Sequence, residues 1–123
     1  MCGATRVHVR TVKDVTQVTF EDSRLLEALQ IDELANALYE LVDVDQRKRL
    51  LLDFSRVTTL SSSMLGTLLS LKKRVDDIGG RLVLCGLCRD VRRVFELTAL
   101  HQVFQFASTS DEGLTTFGVA GKA

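Results

Sequence analysis

Apolar residues alternate with polar ones through residues 6–20: Val7, Val9 and Val12, then Val15, Val18 and Phe20, with Lys13-Asp14 between the two runs. A period of two gives each run one core-facing side, so the pattern predicts a two-stranded hairpin with its tight turn at Lys13-Asp14. From Ile31 the period lengthens. Ile31, Leu34, Leu38, Leu41 and Val42 fall three or four apart; this spacing predicts an amphipathic helix of about three turns, with Asp32 placed to cap it.

Residues 49–54 (Arg-Leu-Leu-Leu-Asp-Phe) form a short apolar run without helical spacing, which suits a central strand covered on both faces. After Ser61-Ser62-Ser63 a long helical stripe follows, Met64, Leu68, Leu71, Val75 and Ile78, broadened by Leu65 and Leu69 and ended by Gly79-Gly80. Leu82-Val83-Leu84-Cys85 reads as a second buried strand, and Asp90 to Leu97 as a shorter helix burying Val91, Val94 and Phe95. Val103 to Phe106 is expected as a last short strand and Asp111 to Phe117 as a last helical turn or two. Strands alternating with helices make right-handed crossovers onto a largely parallel sheet the economical solution, so the class is α/β. In such sheets function gathers where strands run into helix N-termini. Two loops qualify: the one leading to Ser61–Ser63 and the one from Cys85 to Asp90.

Composition narrows the function. The 123 residues suit one domain, 1–123, with its core at about 7–117, and 46% hydrophobic against 26% charged residues is ordinary for a globular protein. Lysine plus arginine equal aspartate plus glutamate at 16 each, which leaves no excess charge to hold nucleic acid or an anionic membrane. No apolar stretch is long enough to span a bilayer, and no basic-then-apolar leader opens the chain. The three cysteines, Cys2, Cys85 and Cys88, are too few for a disulfide framework, which fits a reducing, cytoplasmic setting.

The serines are the first candidate site. Ser61 or Ser62 can act as a simple N-cap, its oxygen accepting from an unpaired N–H in the first helical turn. Three hydroxyls exceed what capping needs, so at least one is expected at the surface. A nucleophilic serine requires a neighbouring base; no G-x-S-x-G elbow surrounds these residues, and His8 and His101 lie far off in sequence. A phosphate acceptor needs neither. Phosphorylation would add about −1.5 to −2 charges where helix N–H groups already favour an anion, leaving the fold intact and changing what a docked partner meets.

The rival feature is Cys85-Gly86-Leu87-Cys88, placed between strand and helix as a redox dithiol would be. Cys85 continues an apolar run, however, and the chain has no proline to supply the cis-proline of a thioredoxin fold. Zinc would need four ligands, and neither histidine stands at ligand spacing from these cysteines. Lys72-Lys73-Arg74 reads as the solvated side of its helix and Glu21-Asp22-Ser23-Arg24 as a surface loop. Routine signatures of nucleotide, dinucleotide and zinc-protease sites are missing, so no cofactor and no enzymatic activity are expected.

Residues 52–66, Leu-Asp-Phe-Ser-Arg-Val-Thr-Thr-Leu-Ser-Ser-Ser-Met-Leu-Gly, resemble the signature segment of the STAS family, the domain of bacterial anti-sigma factor antagonists. Ile78 to Cys85 resembles the family's glycine turn and following strand, and Val91 to Leu100 its next helix. The resemblance implies a mixed, largely parallel sheet of four to five strands with about four helices packed on it. It also implies partner switching. The unmodified antagonist binds an anti-sigma factor that is a serine kinase of the histidine-kinase-like ATPase type; phosphorylation releases it, and a serine phosphatase restores it. The family pattern is aspartate, serine, serine or threonine, glycine, leucine, with the first serine phosphorylated. On this sequence the phosphoserine position is Ser62, with Ser63 as the adjacent hydroxyl and fallback acceptor, while Ser61 stands for the aspartate and Met64 for the glycine. The expected docking surface comprises Thr59, Ser61, Ser62, Ser63 and Met64. A STAS module that binds partners, other STAS proteins among them, without a phosphorylation cycle is the alternative; a dithiol oxidoreductase using Cys85 and Cys88 is the remote one.

Overall fold

A computed structural model describes residues 7–118, and Cys2 lies outside the described residues. The alternating run folds as the expected hairpin: β1 (Val7–Val12) and β2 (Val15–Phe20) pair antiparallel, with Val12 opposite Val15. That register leaves two residues for the turn, and Lys13 takes it at φ 59°, the left-handed backbone that two-residue hairpin turns require.

The remaining elements in chain order are β3 (Arg24–Leu25), α1 (Ala28–Asp43), β4 (Arg49–Asp53), β5 (Thr59–Leu60) and α2 (Ser62–Asp77). They are followed by β6 (Arg81–Cys85), α3 (Arg89–Leu97), a 3-10 turn (Leu100–Gln102), β7 (Gln105–Ala107) and α4 (Ser110–Thr116). Five strands form one sheet in the order β1-β2-β4-β6-β7, parallel except for the β1–β2 pair. The α/β class and the largely parallel sheet are therefore as the periodicity predicts.

β4 is the central strand, and its three successive leucines explain why: Leu50, Leu51 and Leu52 are all fully buried. Leu50 and Leu52 face the larger core, with Val18, Phe20, Leu34, Leu38, Leu68, Leu71, Leu84 and Phe95. Leu51 faces a smaller one, with Val15, Val83 and Cys85 beneath Leu114 and Phe117. α4 closes on that second face at the one residue that lets it: a Cβ on Gly113 would stand 2.5 Å from a Leu51 methyl.

Three expectations need correction. α1 starts at Ala28, one turn ahead of the apolar stripe, so Asp32 is not its cap. Its first turn is exposed, with Leu29 at 71%, and therefore carries no stripe to read. That turn is held instead by Gln30, whose Oε1 accepts from the Leu26 and Glu27 N–H groups while Nε2 donates to Asp22 and to the Arg24 carbonyl. The last strand sits at Gln105–Ala107, because Phe104 turns inward to meet Phe95 edge-on at 5.7 Å and Val103 stays exposed. Finally, Glu21 to Arg24 is not loop throughout. Arg24 opens β3, which pairs with β5 in a separate two-stranded sheet.

Candidate functional site

The segment between β4 and α2 is pinned at nearly every turn. Phe54 N–H donates to the Cys85 carbonyl at 2.8 Å, and Val57 N–H closes a turn onto the Phe54 carbonyl at 2.9 Å. The Asp53 carboxylate accepts from Ser55 N–H at 2.9 Å. Phe54, Val57 and Leu60 point into the core. The β3–β5 pair then fixes the approach to the serines. The Ser23 carbonyl accepts from Thr58 N–H (2.8 Å), Thr59 N–H (3.2 Å) and the Thr58 hydroxyl (3.1 Å), and Ser61 N–H donates to the Leu25 carbonyl at 3.0 Å. No sequence pattern announces this clamp, since a strand of two residues is too short to show alternation.

α2 begins where the clamp ends. Ser61 is its N-cap, extended at φ −93°, ψ 168°, with Oγ accepting from Met64 N–H at 3.3 Å. One of the two serines open to the capping role thus takes it. Ser62 and Ser63 occupy the first helical turn and are both exposed. Their hydroxyls stand beside N–H groups that no intrahelical carbonyl can reach, and no acidic residue lies in that turn. The positive end of the helix is therefore uncompensated. Thr59 is exposed on the clamp immediately before the cap.

Met64 does not share this surface. It is fully buried and heads the core stripe of α2 with Leu68, Leu71 and Val75, so it offers nothing to a docking partner directly. Its own spacing already assigns it to that stripe. What the sequence reading missed is Gly66: a Cβ there would meet nothing within 4 Å. Gly66 lies one turn beyond Ser62 and Ser63, followed by the partly exposed Leu69. Residues four apart share a helix face, so Ser62, Gly66 and Leu69 or Ser70 continue the serine surface along α2. The available signal was a glycine inside a helix, where it costs stability relative to alanine, with no packing within the fold that requires it.

The basic group behaves as a solvated helix side. Lys72 pairs with Asp76 at 2.8 Å and Lys73 with Asp77 at 3.5 Å. Arg74 pairs with Asp43 and stacks over the Tyr39 ring at 4.0 Å, tying α2 to α1.

The cysteines are arranged against redox chemistry. Cys85 is fully buried, and burial, followed by the Asp53 carboxylate, pushes its thiol up from 9.0 to about 12. A reactive thiol needs the opposite, a depressed pKa and access. Cys88 is partly buried, its Sγ 3.6 Å from the Val57 carbonyl. No helix among the described residues is long and apolar enough to cross a membrane. No group of three or more metal-ligating side chains occurs among them either.

Residues 7–113 match the model of the STAS domain. The chain belongs to the STAS domain family. A relative from Bordetella bronchiseptica, "Putative anti-sigma factor antagonist BtrV", is 30% identical over 96 residues, covering 78% of this chain and 82% of the relative. Among solved structures, a STAS domain protein from Planctomyces limnophilus, described as an anti-sigma-factor antagonist, is 24% identical with a TM-score of 0.82, covering 91% of this chain and 97% of that one. The Bacillus cell fate determinant SpoIIAA in its phosphorylated form is 15% identical with a TM-score of 0.70, covering 90% and 98%. The five-stranded sheet and four helices described above are the STAS fold of these neighbours, and family membership places the protein among relatives of the anti-sigma factor antagonists.

Proposed function

We propose that this STAS domain is an anti-sigma factor antagonist whose affinity for its partner is set by phosphorylation of Ser62. The observation that carries the reading is the position of Ser62: exposed, in the first turn of α2, beyond a cap already supplied by Ser61. SpoIIAA, which shares the fold, exists in a phosphorylated form. The partner is an anti-sigma factor with serine kinase activity of the histidine-kinase-like ATPase type. In the modification step the Ser62 Oγ takes the γ-phosphoryl group of ATP, the hydroxyl proton leaves, and ADP is released. A serine phosphatase hydrolyses the ester, returning the hydroxyl and inorganic phosphate.

The geometry explains how such a step acts without unfolding the domain. A phosphate at Ser62 gains from the free N–H groups and the positive helix end, while the clamp at Ser23 and Leu25 holds the loop in either state. The change falls on the outer surface, on which Thr59, Ser63 and Gly66 are also exposed. A partner packed there meets new bulk and about two negative charges.

The test is capture from lysate of the source organism, with ADP present, by wild type, Ser62→Ala and Ser62→Asp. Retention of an ATPase-type serine kinase by the first two forms and its loss by Ser62→Asp supports the switch. Equal retention by all three sinks it and leaves a STAS interaction module without a phosphorylation cycle.

A further inference from the structure

At the opposite end of β4 from the serines lies an open cleft of about 660 Å³ whose lining carries five cations, Lys13, Arg47, Lys48, Arg49 and Arg81, against the single carboxylate of Asp14. The chain as a whole has a formal net charge of zero, so this is a strong local asymmetry. Helix polarity accounts for a small part of it. α1 and α2 both end here, and each C-terminus carries only about −0.5 charge, far short of the cationic excess.

The arginines are held in place mostly by neutral groups. Arg47 Nη1 donates to the hydroxyls of Thr11 and Thr16 at 3.4 and 3.5 Å. Arg81 donates to Gln105 Oε1 at 3.0 Å and to the Thr116 carbonyl at 3.1 Å. Arg49 and Arg81 lie against the Phe117 ring, at 5.8 and 5.4 Å from its centroid. Among the described residues Arg49 is the one arginine of the cleft with a carboxylate partner, both oxygens of Asp14 standing at 3.1 Å. Fixing a guanidinium through neutral acceptors leaves its charge uncompensated and its remaining donors pre-oriented, which is the arrangement that recognises phosphate or carboxylate groups. The ammonium groups of Lys13 and Lys48 have no hydrogen bond or ion pair among the described residues and complete the rim.

We infer that this cleft binds a small multivalent oxyanion, one bearing two or more phosphate or carboxylate groups, independently of the serine surface. Its volume lies in the range of small-molecule sites. β4, at about 3.3 Å per residue, separates the two ends by roughly 15 Å, so an occupant of the cleft leaves the serines uncovered.

Titration of the ¹⁵N-labelled full chain with inorganic pyrophosphate, and separately with citrate, at about 0.1 M ionic strength tests this. Expected are saturable amide shifts confined to Lys13-Asp14, Arg47–Arg49 and Gly79–Arg81, with affinity reduced about tenfold or more in Lys13→Gln/Lys48→Gln. Tighter binding of pyrophosphate assigns a phosphate-bearing ligand, and tighter binding of citrate a polycarboxylate. Shifts scattered over the surface, no saturation up to about 10 mM with either probe, or undiminished affinity in a variant whose thermal unfolding matches wild type overturns the proposal.

Discussion

The two ends of β4 are built on contrary plans. At its C-terminal end the chain passes into a loop whose backbone groups are pinned by Ser23, Leu25 and Cys85, and the first turn of α2 that follows displays hydroxyl groups at the positive helix end. At its N-terminal end the side chains do the work: cations gather where α1 and α2 present their negative ends. Parallel strands with returning helices produce this polarity automatically, since every crossover puts helix starts at one end of the sheet and helix ends at the other. The lesson is that the serine end is made rigid by backbone bonds and has no acidic residue in the first turn of α2, so that one added phosphate would stand out there. The basic end carries its charge permanently.

Substitutions that separate support from display sharpen this contrast, and the largest effect belongs to support. Met64→Ala is expected to cost about 2–5 kcal/mol by opening a cavity beneath the serines, read as a lowered denaturant midpoint. An unchanged midpoint with weakened partner binding would return Met64 to the docking surface. High pH should loosen the same end. The folded Cys85 thiol keeps its proton up to about pH 12 whereas the unfolded thiol ionises near 9.0, so unfolding releases a proton and stability falls as pH rises from 9.0 towards 12. Cys85→Val, followed by thermal unfolding across that range, should flatten the fall. At the cap, Ser61→Ala should cost about 1 kcal/mol and leave the end of the sheet intact. The smallest effect is predicted for the displayed residue: Ser62→Asp should change stability by less than about 1 kcal/mol, in the stabilising direction, because a carboxylate in the first turn meets the positive helix end. A large destabilisation would mean that Ser62 is structural.

Much of this was legible in the sequence because burial leaves a period. The hairpin at 7–20, the leucine run of β4 and the stripe of α2 show their faces directly, and Ser61 was one of two serines open to the capping role. Elements that make no stripe stayed hidden. The first turn of α1 is solvated and β3 and β5 have two residues each, so none carries enough positions to set a period; the last strand was expected, and only its bounds moved, to Gln105–Ala107, because Phe104 turns inward. The basic cleft was hidden for a different reason. Its cations come from residues 13, 47–49 and 81, which the fold brings together across three strands, while the neutral total charge concealed the local excess. Met64 illustrates a conflict between two readings: alignment with the signature put it beside the acceptor, helical spacing put it in the core, and its burial follows the spacing.

The most direct test of the central claim is phosphopeptide mapping of the protein isolated from its own cells, compared with Ser62→Ala expressed in the same background. The account predicts a single phosphate on Ser62 that disappears in the variant without moving to Ser61 or Ser63. A protein that carries no phosphate under any growth condition, or one whose phosphate sits outside the first turn of α2, would contradict it.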